Sequence, residues 1–139
     1  MAKTNEMKKI LLALVAVAGL SLSSCGQQPA ASGAVSSVGT AAFKKALATE
    51  PSAQIVDVRT PEEFAQGHLK GAVNIDFYSP TFEKDLAQLK KDQPVMVYCR
   101  SGGRSGKAAT KMGEMGFSKV VDLSGGILGW QSAGEPVEQ

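Results

Sequence analysis

The sequence predicts an α/β domain in which parallel strands are covered by helices on both faces. Three observations carry this reading. From Val38 onward, short β-branched runs alternate with amphipathic segments. The run Val95-Met96-Val97-Tyr98 has no polar alternation, as expected of a strand covered on both sides. The apolar runs are also punctuated by Gly, Pro and helix-start signals, which sets the rhythm of strand, turn and helix.

Taken in order, Thr40 is expected to cap a helix carrying Phe43, Ala46 and Leu47, which must end before Pro51. Ile55-Val56-Asp57-Val58 reads as a strand. Thr60-Pro61-Glu62-Glu63 then opens a helix, with Pro at its first position and a capping box in which Thr60 is answered by Glu63. Ala72 to Ile75 is a short strand. Ser79-Pro80 starts a helix with Phe82, Leu86 and Leu89 on one face and Lys90-Lys91 at its negative end. After the Val95–Tyr98 strand, Arg104 to Met115 places Ala108, Ala109, Met112 and Met115 on one stripe, and Gly116 closes the helix. Val120-Val121 is a last strand, and a short helix follows Gly126.

The amino-terminal segment follows different rules. Lys3, Lys8 and Lys9 precede an apolar run from Ile10 to Leu20, and small residues follow it, the pattern of a secretory signal. The run is roughly half of the ~20 residues a spanning helix needs. Leu22-Ser23-Ser24-Cys25 resembles the lipobox of bacterial lipoproteins, which implies lipid on Cys25 and anchorage in the cell envelope outside the cytoplasm. The expected organisation is a signal peptide at 1–24, a lipidated Cys25 with a Gln/Pro/Ala/Ser-rich tether through 37, and a folded domain at 38–139.

Loss of the signal changes the charge balance. The chain has 15 basic and 13 acidic residues, and removal of Lys3, Lys8, Lys9 and Glu6 leaves 12 of each. A neutral domain gives no support to a nucleic-acid partner. The cysteines are Cys25 and Cys99 alone. With Cys25 lipidated, Cys99 is a solitary thiol in an oxidising compartment, a context in which reactivity is the expectation.

The loop after the Val95–Tyr98 strand fits anion chemistry. It reads Cys99-Arg100-Ser101-Gly102-Gly103-Arg104-Ser105 and lies between strand and helix, where α/β sheets bind ligands. Gly102 and Gly103 permit successive amides to point inward as an anion nest, and the next helix adds its positive end. A Cys99 thiolate shares that field, so its pKa is expected below the ~8.5 of a free thiol. The chain has three arginines, Arg59, Arg100 and Arg104; two lie in this loop and the third ends another strand. Arg grips oxyanions with a planar fork of donors.

These residues resemble the rhodanese-like domain family. Asp57-Val58-Arg59 with Pro61-Glu62-Glu63-Phe64 is similar to its first signature, and Phe64 to Ile75 to its second, departing at Lys70 where Pro is usual. Tyr98 to Ser105 is similar to the third, and Val121 to Ile127 with Trp130 to the closing motif. The resemblance implies a mostly five-stranded parallel sheet and sulfur transfer through a Cys99 persulfide. The implied partners are a thiosulfate-like donor and a thiol, cyanide or protein acceptor. Arg100, Ser101, Gly102, Gly103 and Arg104 would bind the donor with Arg59, while Asp57, Ser105 and His68 support them. No cofactor or metal is implied, since one His and one unlipidated Cys do not make a metal site.

His68 invites a general-base role, yet its place in a turn before a strand favours structural hydrogen bonding. Two other activities remain open at this point. A Cys-based phosphatase or arsenate reductase would share the loop chemistry, but such loops are typically C-x5-R, whereas Cys99 and Arg104 are spaced C-x4-R. A non-catalytic persulfide carrier would use the same loop.

Overall fold

A continuous apolar run can be a strand only where both of its faces find cover, and that condition organises this molecule. The computed structural model describes residues 34–139. The expected signal, Cys25 and most of the tether lie outside the described residues. Five strands form one sheet: β1 (Ala34–Val38), β2 (Gln54–Asp57), β3 (Val73–Asn74), β4 (Val95–Tyr98) and β5 (Lys119–Leu123). Their order is β1-β5-β4-β2-β3, and every pairing is parallel. The helices are α1 (Thr40–Thr49), α2 (Pro61–Ala65), α3 (Phe82–Leu86), α4 (Gly103–Glu114) and α5 (Gly126–Ser132).

Alternation along β4 divides the core. Val95, Val97 and Cys99 pack with Leu86 of α3 and Ala108, Ala109 and Met112 of α4. Met96 and Tyr98 face the other way, towards Phe43 of α1 and Ile127 and Trp130 of α5. Burial of these side chains on both faces is what holds so short a sheet, at about 1.5–3 kcal/mol for each large apolar group.

Two expectations are corrected. Ala34–Ser37 belong to the sheet rather than the tether: β1 pairs with β5 from Ala34↔Lys119 to Val38↔Leu123. The Ala-Val-Ser-Ser-Val composition hides the strand because β1 is an edge with mostly exposed side chains. Thr40 is not a cap; Gly39 occupies that position without a side-chain bond, and Thr40 is already helical. The Thr60–Glu63 capping box forms as expected.

The strand order also locates a crevice. From β2 the chain moves outward to β3, while from β4 it moves the opposite way to β5. The carboxyl ends of β2 and β4 therefore diverge into separate connections, and such a switch point is where open α/β sheets hold ligands. Asp57-Arg59 and Cys99-Arg100 stand on its two sides.

Candidate active site

Cys99 follows the last residue of β4 and faces α4 with the apolar side chains of that layer. The residue is 1% exposed. Its sulfur is nonetheless surrounded by donors. The Gly102 amide lies 3.1 Å from Sγ and the Ser105 hydroxyl 3.4 Å from it. Burial pushes the thiol up. The Ser105 hydroxyl and the amides of Ser105, Gly102 and Ser101 outweigh burial, so the thiol sits below its ordinary value. α4 adds its positive end, since it begins at Gly103.

Two glycines give the loop this shape. Gly102 has φ +102°, and a Cβ there would lie 2.1 Å from the Ser124 carbonyl oxygen. Gly126 has φ +58°, and its Cβ would lie 2.2 Å from the Arg100 carbonyl oxygen. Both positions therefore require glycine on conformational and on steric grounds. At α5, the Ile127 amide donates to the Cys99 carbonyl at 2.9 Å and the Leu128 amide to the Arg100 carbonyl at 3.2 Å. These bonds hold the loop's first carbonyls against α5, while its later amides face the sulfur. The part played by residues 124–128 was missed in the sequence; the Gly125-Gly126 pair was the signal that could have found it.

The arginines separate into three roles. Arg59 is 5% exposed, and its guanidinium is gripped by Asp57 at 2.6–3.0 Å and donates to the Gly67 carbonyl at 2.7 Å. The Arg59 amide also donates to Asp57 Oδ1 at 2.9 Å, so Asp57 fixes its own turn. Arg104 makes two parallel bonds to Glu63, at 2.7 and 2.9 Å, and lies over the ring of Tyr78. The Arg104 pair, reinforced by the Thr60 amide, holds the Glu63 carboxyl down at about 2. Arg100 is exposed and borders a cleft shared with Arg59, Glu63, Gln66, Leu128 and Gln131.

The remaining predicted residues are also placed. Ser101 is exposed and contributes its amide, while Gly103 starts α4 with open space at its Cβ position. His68 stacks on Phe64 with ring centroids 3.8 Å apart, and its Nδ1 lies 3.1 Å from the Phe64 carbonyl oxygen. Its backbone bridges to Glu138. These are structural contacts. Lys70 is exposed in its turn, as its departure from the family pattern allows. Among the described residues no group of three His, Cys, Asp or Glu side chains could hold a metal ion.

This geometry has known counterparts. Residues 40–133 match the Rhodanese-like domain family. A sulfurtransferase of Allochromatium vinosum is 32% identical over 103 residues, spanning 74% of this chain and 94% of its own length. Thiosulfate sulfurtransferase GlpE of Pseudomonas aeruginosa is 40% identical over 83 residues, 60% of this chain and 74% of GlpE. Among solved structures, a rhodanese-related protein of Thermoplasma volcanium has a TM-score of 0.65 at 27% identity, covering 73% of this chain and 96% of that one. The homodimeric polysulfide-sulfur transferase of Wolinella succinogenes has a TM-score of 0.62 at 26% identity, covering 78% and 80%. The parallel five-stranded sheet, the cysteine loop and these relatives together assign the chain to the rhodanese-like domain family, a family with sulfurtransferase members.

Proposed function

We propose that this protein is a rhodanese-type sulfurtransferase that takes sulfane sulfur from thiosulfate or a similar donor and passes it to a thiophilic acceptor. The observation that carries the reading is the ring of donors around Cys99 Sγ: the Gly102 amide, the Ser105 hydroxyl and the amides of Ser101 and Ser105. A structural cysteine in a core needs no such ring. The ring stabilises an anionic sulfur before and after transfer, as an oxyanion hole stabilises a developing charge.

In the first half-reaction the Cys99 thiolate attacks the outer sulfur of thiosulfate. A new S–S bond forms, the sulfur–sulfur bond of the donor breaks, and its electron pair leaves with sulfite. In the second, an acceptor nucleophile attacks the outer sulfur of the persulfide and the electron pair returns to Sγ. Burial of Sγ is compatible with both steps. The persulfide extends by one S–S bond of about 2 Å, carrying the transferable sulfur outward from the loop. Arg100 is the guanidinium left to meet the donor's sulfonate. Arg104, committed to Glu63, fixes α2 against the loop.

The proposal includes export: cleavage after Ser24, lipid on Cys25 and a short tether holding the domain at the envelope surface outside the cytoplasm. A fatty-acid label that follows the wild type and not Cys25→Ala supports this part, and equal labelling of both rejects it. The sulfur chemistry is tested by the mass of the Cys99 peptide after brief exposure to thiosulfate, where a gain of one sulfur atom is expected. No gain overturns the assignment. Sulfite released over many cycles with a small acceptor distinguishes a catalyst from a stoichiometric sulfur carrier.

A further inference from the structure

One buried polar group takes no part in the chemistry described so far. Asp122, near the end of β5, is 3% exposed, and its Oδ1 has no hydrogen-bond partner. Oδ2 accepts from the Ser37 hydroxyl of β1 at 2.8 Å. Among the described residues no basic side chain pairs with it. A buried carboxylate with one oxygen unpaired is less stable than the apolar side chain that a covered strand would otherwise carry there. Such a group calls for a reason.

Its place in the fold supplies one. Along β5, Val120 belongs to the core layer beneath α4, whereas Val121 and Leu123 belong to the opposite layer. Asp122 therefore points to the α4 side. Its register partner on β4 is Val97, and Cys99 follows two residues later on the same face. Spacings of about 4.8 Å between strands and about 3.3 Å along one put the Cα atoms of Asp122 and Cys99 roughly 8 Å apart. α4 joins them from above. A Cβ at Gly106 would stand 3.8 Å from Asp122 Oδ2, and the preceding residue is Ser105, whose hydroxyl donates to Sγ. The carboxylate thus lies against the first turn of α4, whose positive end also serves the sulfur.

The other charges near the sulfur cancel or face water. Arg104 of α4 is paired with Glu63 of α2, and Arg59 with Asp57 after β2. Arg100 of the loop, Lys107 of α4 and Tyr78 after β3 are exposed, and α5 carries no charged residue. Asp122 is left as the fixed charge that neither a partner nor solvent offsets.

We infer that Asp122 is a positioning residue for sulfur transfer: its negative charge beneath the first turn of α4 opposes the pull of the loop amides and keeps the Cys99 sulfur from being held too tightly as an anion. This rests on the sulfurtransferase reading and adds to it a residue that touches neither donor nor acceptor. A thiolate stabilised by amides alone forms readily but attacks slowly, because nucleophilicity falls with basicity. An opposing charge close by restores part of that nucleophilicity.

The test separates charge from contact. Asp122→Asn keeps the shape and removes the charge, whereas Ser37→Ala keeps the charge and removes its hydrogen bond. For each, the pH midpoint for alkylation of Cys99 by iodoacetamide is measured beside the denaturant midpoint. Asp122→Asn is expected to lower the alkylation midpoint by about one unit, as a unit charge roughly 8 Å away does at an effective dielectric constant of about 20. Above both midpoints, where the sulfur is wholly thiolate, its alkylation and its loading from thiosulfate should be about threefold slower than in the wild type, following a Brønsted slope of about 0.5. Ser37→Ala should lower the denaturant midpoint and leave the alkylation midpoint in place. An unchanged alkylation midpoint in folded Asp122→Asn overturns the inference, and so does an equal shift in both variants. Asp122→Thr carries the same expectation should the asparagine variant not fold. Failure of the wild type to load with thiosulfate strikes the sulfurtransferase reading instead, and the alkylation midpoints are read independently of it.

Discussion

Two turns leave adjacent strands at the same edge of the sheet, and they treat charge in opposite ways. After β2, Asp57 and Arg59 satisfy each other, Thr60 and Glu63 cap each other, and Gly67 takes the remaining guanidinium bond. After β4, Cys99 faces amides and a hydroxyl, and Arg100 projects without an ion-pair partner among the described residues. The first turn is closed chemically and contributes rigidity. The second is held open by contacts from elsewhere, so its donors remain for sulfur and for a ligand. Stability and reactivity thus occupy neighbouring turns, and substitutions should separate them.

The widest separation is expected from Cys99→Ala. Sulfur loading from thiosulfate should fall by at least about a thousandfold, as loss of a covalent nucleophile requires. Stability should change by only about 1 kcal/mol, a typical cost of one substitution. Retention of sulfite release by this variant would place the nucleophile elsewhere. Asp57→Ala should do the reverse. It strands a buried guanidinium, at a cost of about 3–5 kcal/mol, visible as a lower denaturant midpoint. A midpoint near that of the wild type would mean that Arg59 finds another partner or water.

Gly126→Ala tests how the reactive turn is held. Displacement of Arg100 by about 1 Å should slow loading roughly a hundredfold, with a stability loss greater than the about 1–2 kcal/mol of the left-handed backbone alone, because the added Cβ also meets the Arg100 carbonyl. Full activity would show that α5 does not set the loop. Ser105→Ala removes a donor to the thiolate, so the pH midpoint for alkylation of Cys99 should rise by about one unit. A midpoint that stays or falls would leave the amides as the whole source of activation.

The smallest effect belongs to the closed side. Glu63→Gln weakens the Arg104 pair, costing about 1 kcal/mol or less at neutral pH because the pair is partly solvated. The Glu63 carboxyl is depressed to about 2 in the fold. Its stabilisation is therefore complete above the unfolded value of about 4.3 and fades as pH falls through that interval. Stability curves of wild type and variant should converge near the lower end of it. A constant gap down to that pH would assign the difference to packing.

The reactive loop was legible in the sequence because its chemistry is local: cysteine, glycines and the opening of a helix fall within seven residues. β4 was equally plain, since full burial leaves no polar positions. β1 was not, because an exposed edge of alanine, valine and serine has the composition of a linker. The Arg104–Glu63 pair was hidden for a different reason. It spans 41 residues, and the capping-box role of Glu63 already explained that side chain. The count of three arginines pointed to one anion site, whereas tertiary contacts divide them among a brace, a clamp and an open cation.

The grip of α5 on the cysteine loop has a temporal consequence. The Ile127 and Leu128 amides of α5 fasten the carbonyls of Cys99 and Arg100, each made 28 positions earlier. Until α5 has been synthesised and docked, the loop that rings the thiol with amides is not held, and the thiol behaves as an ordinary, mostly protonated cysteine. Activation thus waits for α5, and a chain that stops short of it carries its sulfur unarmed.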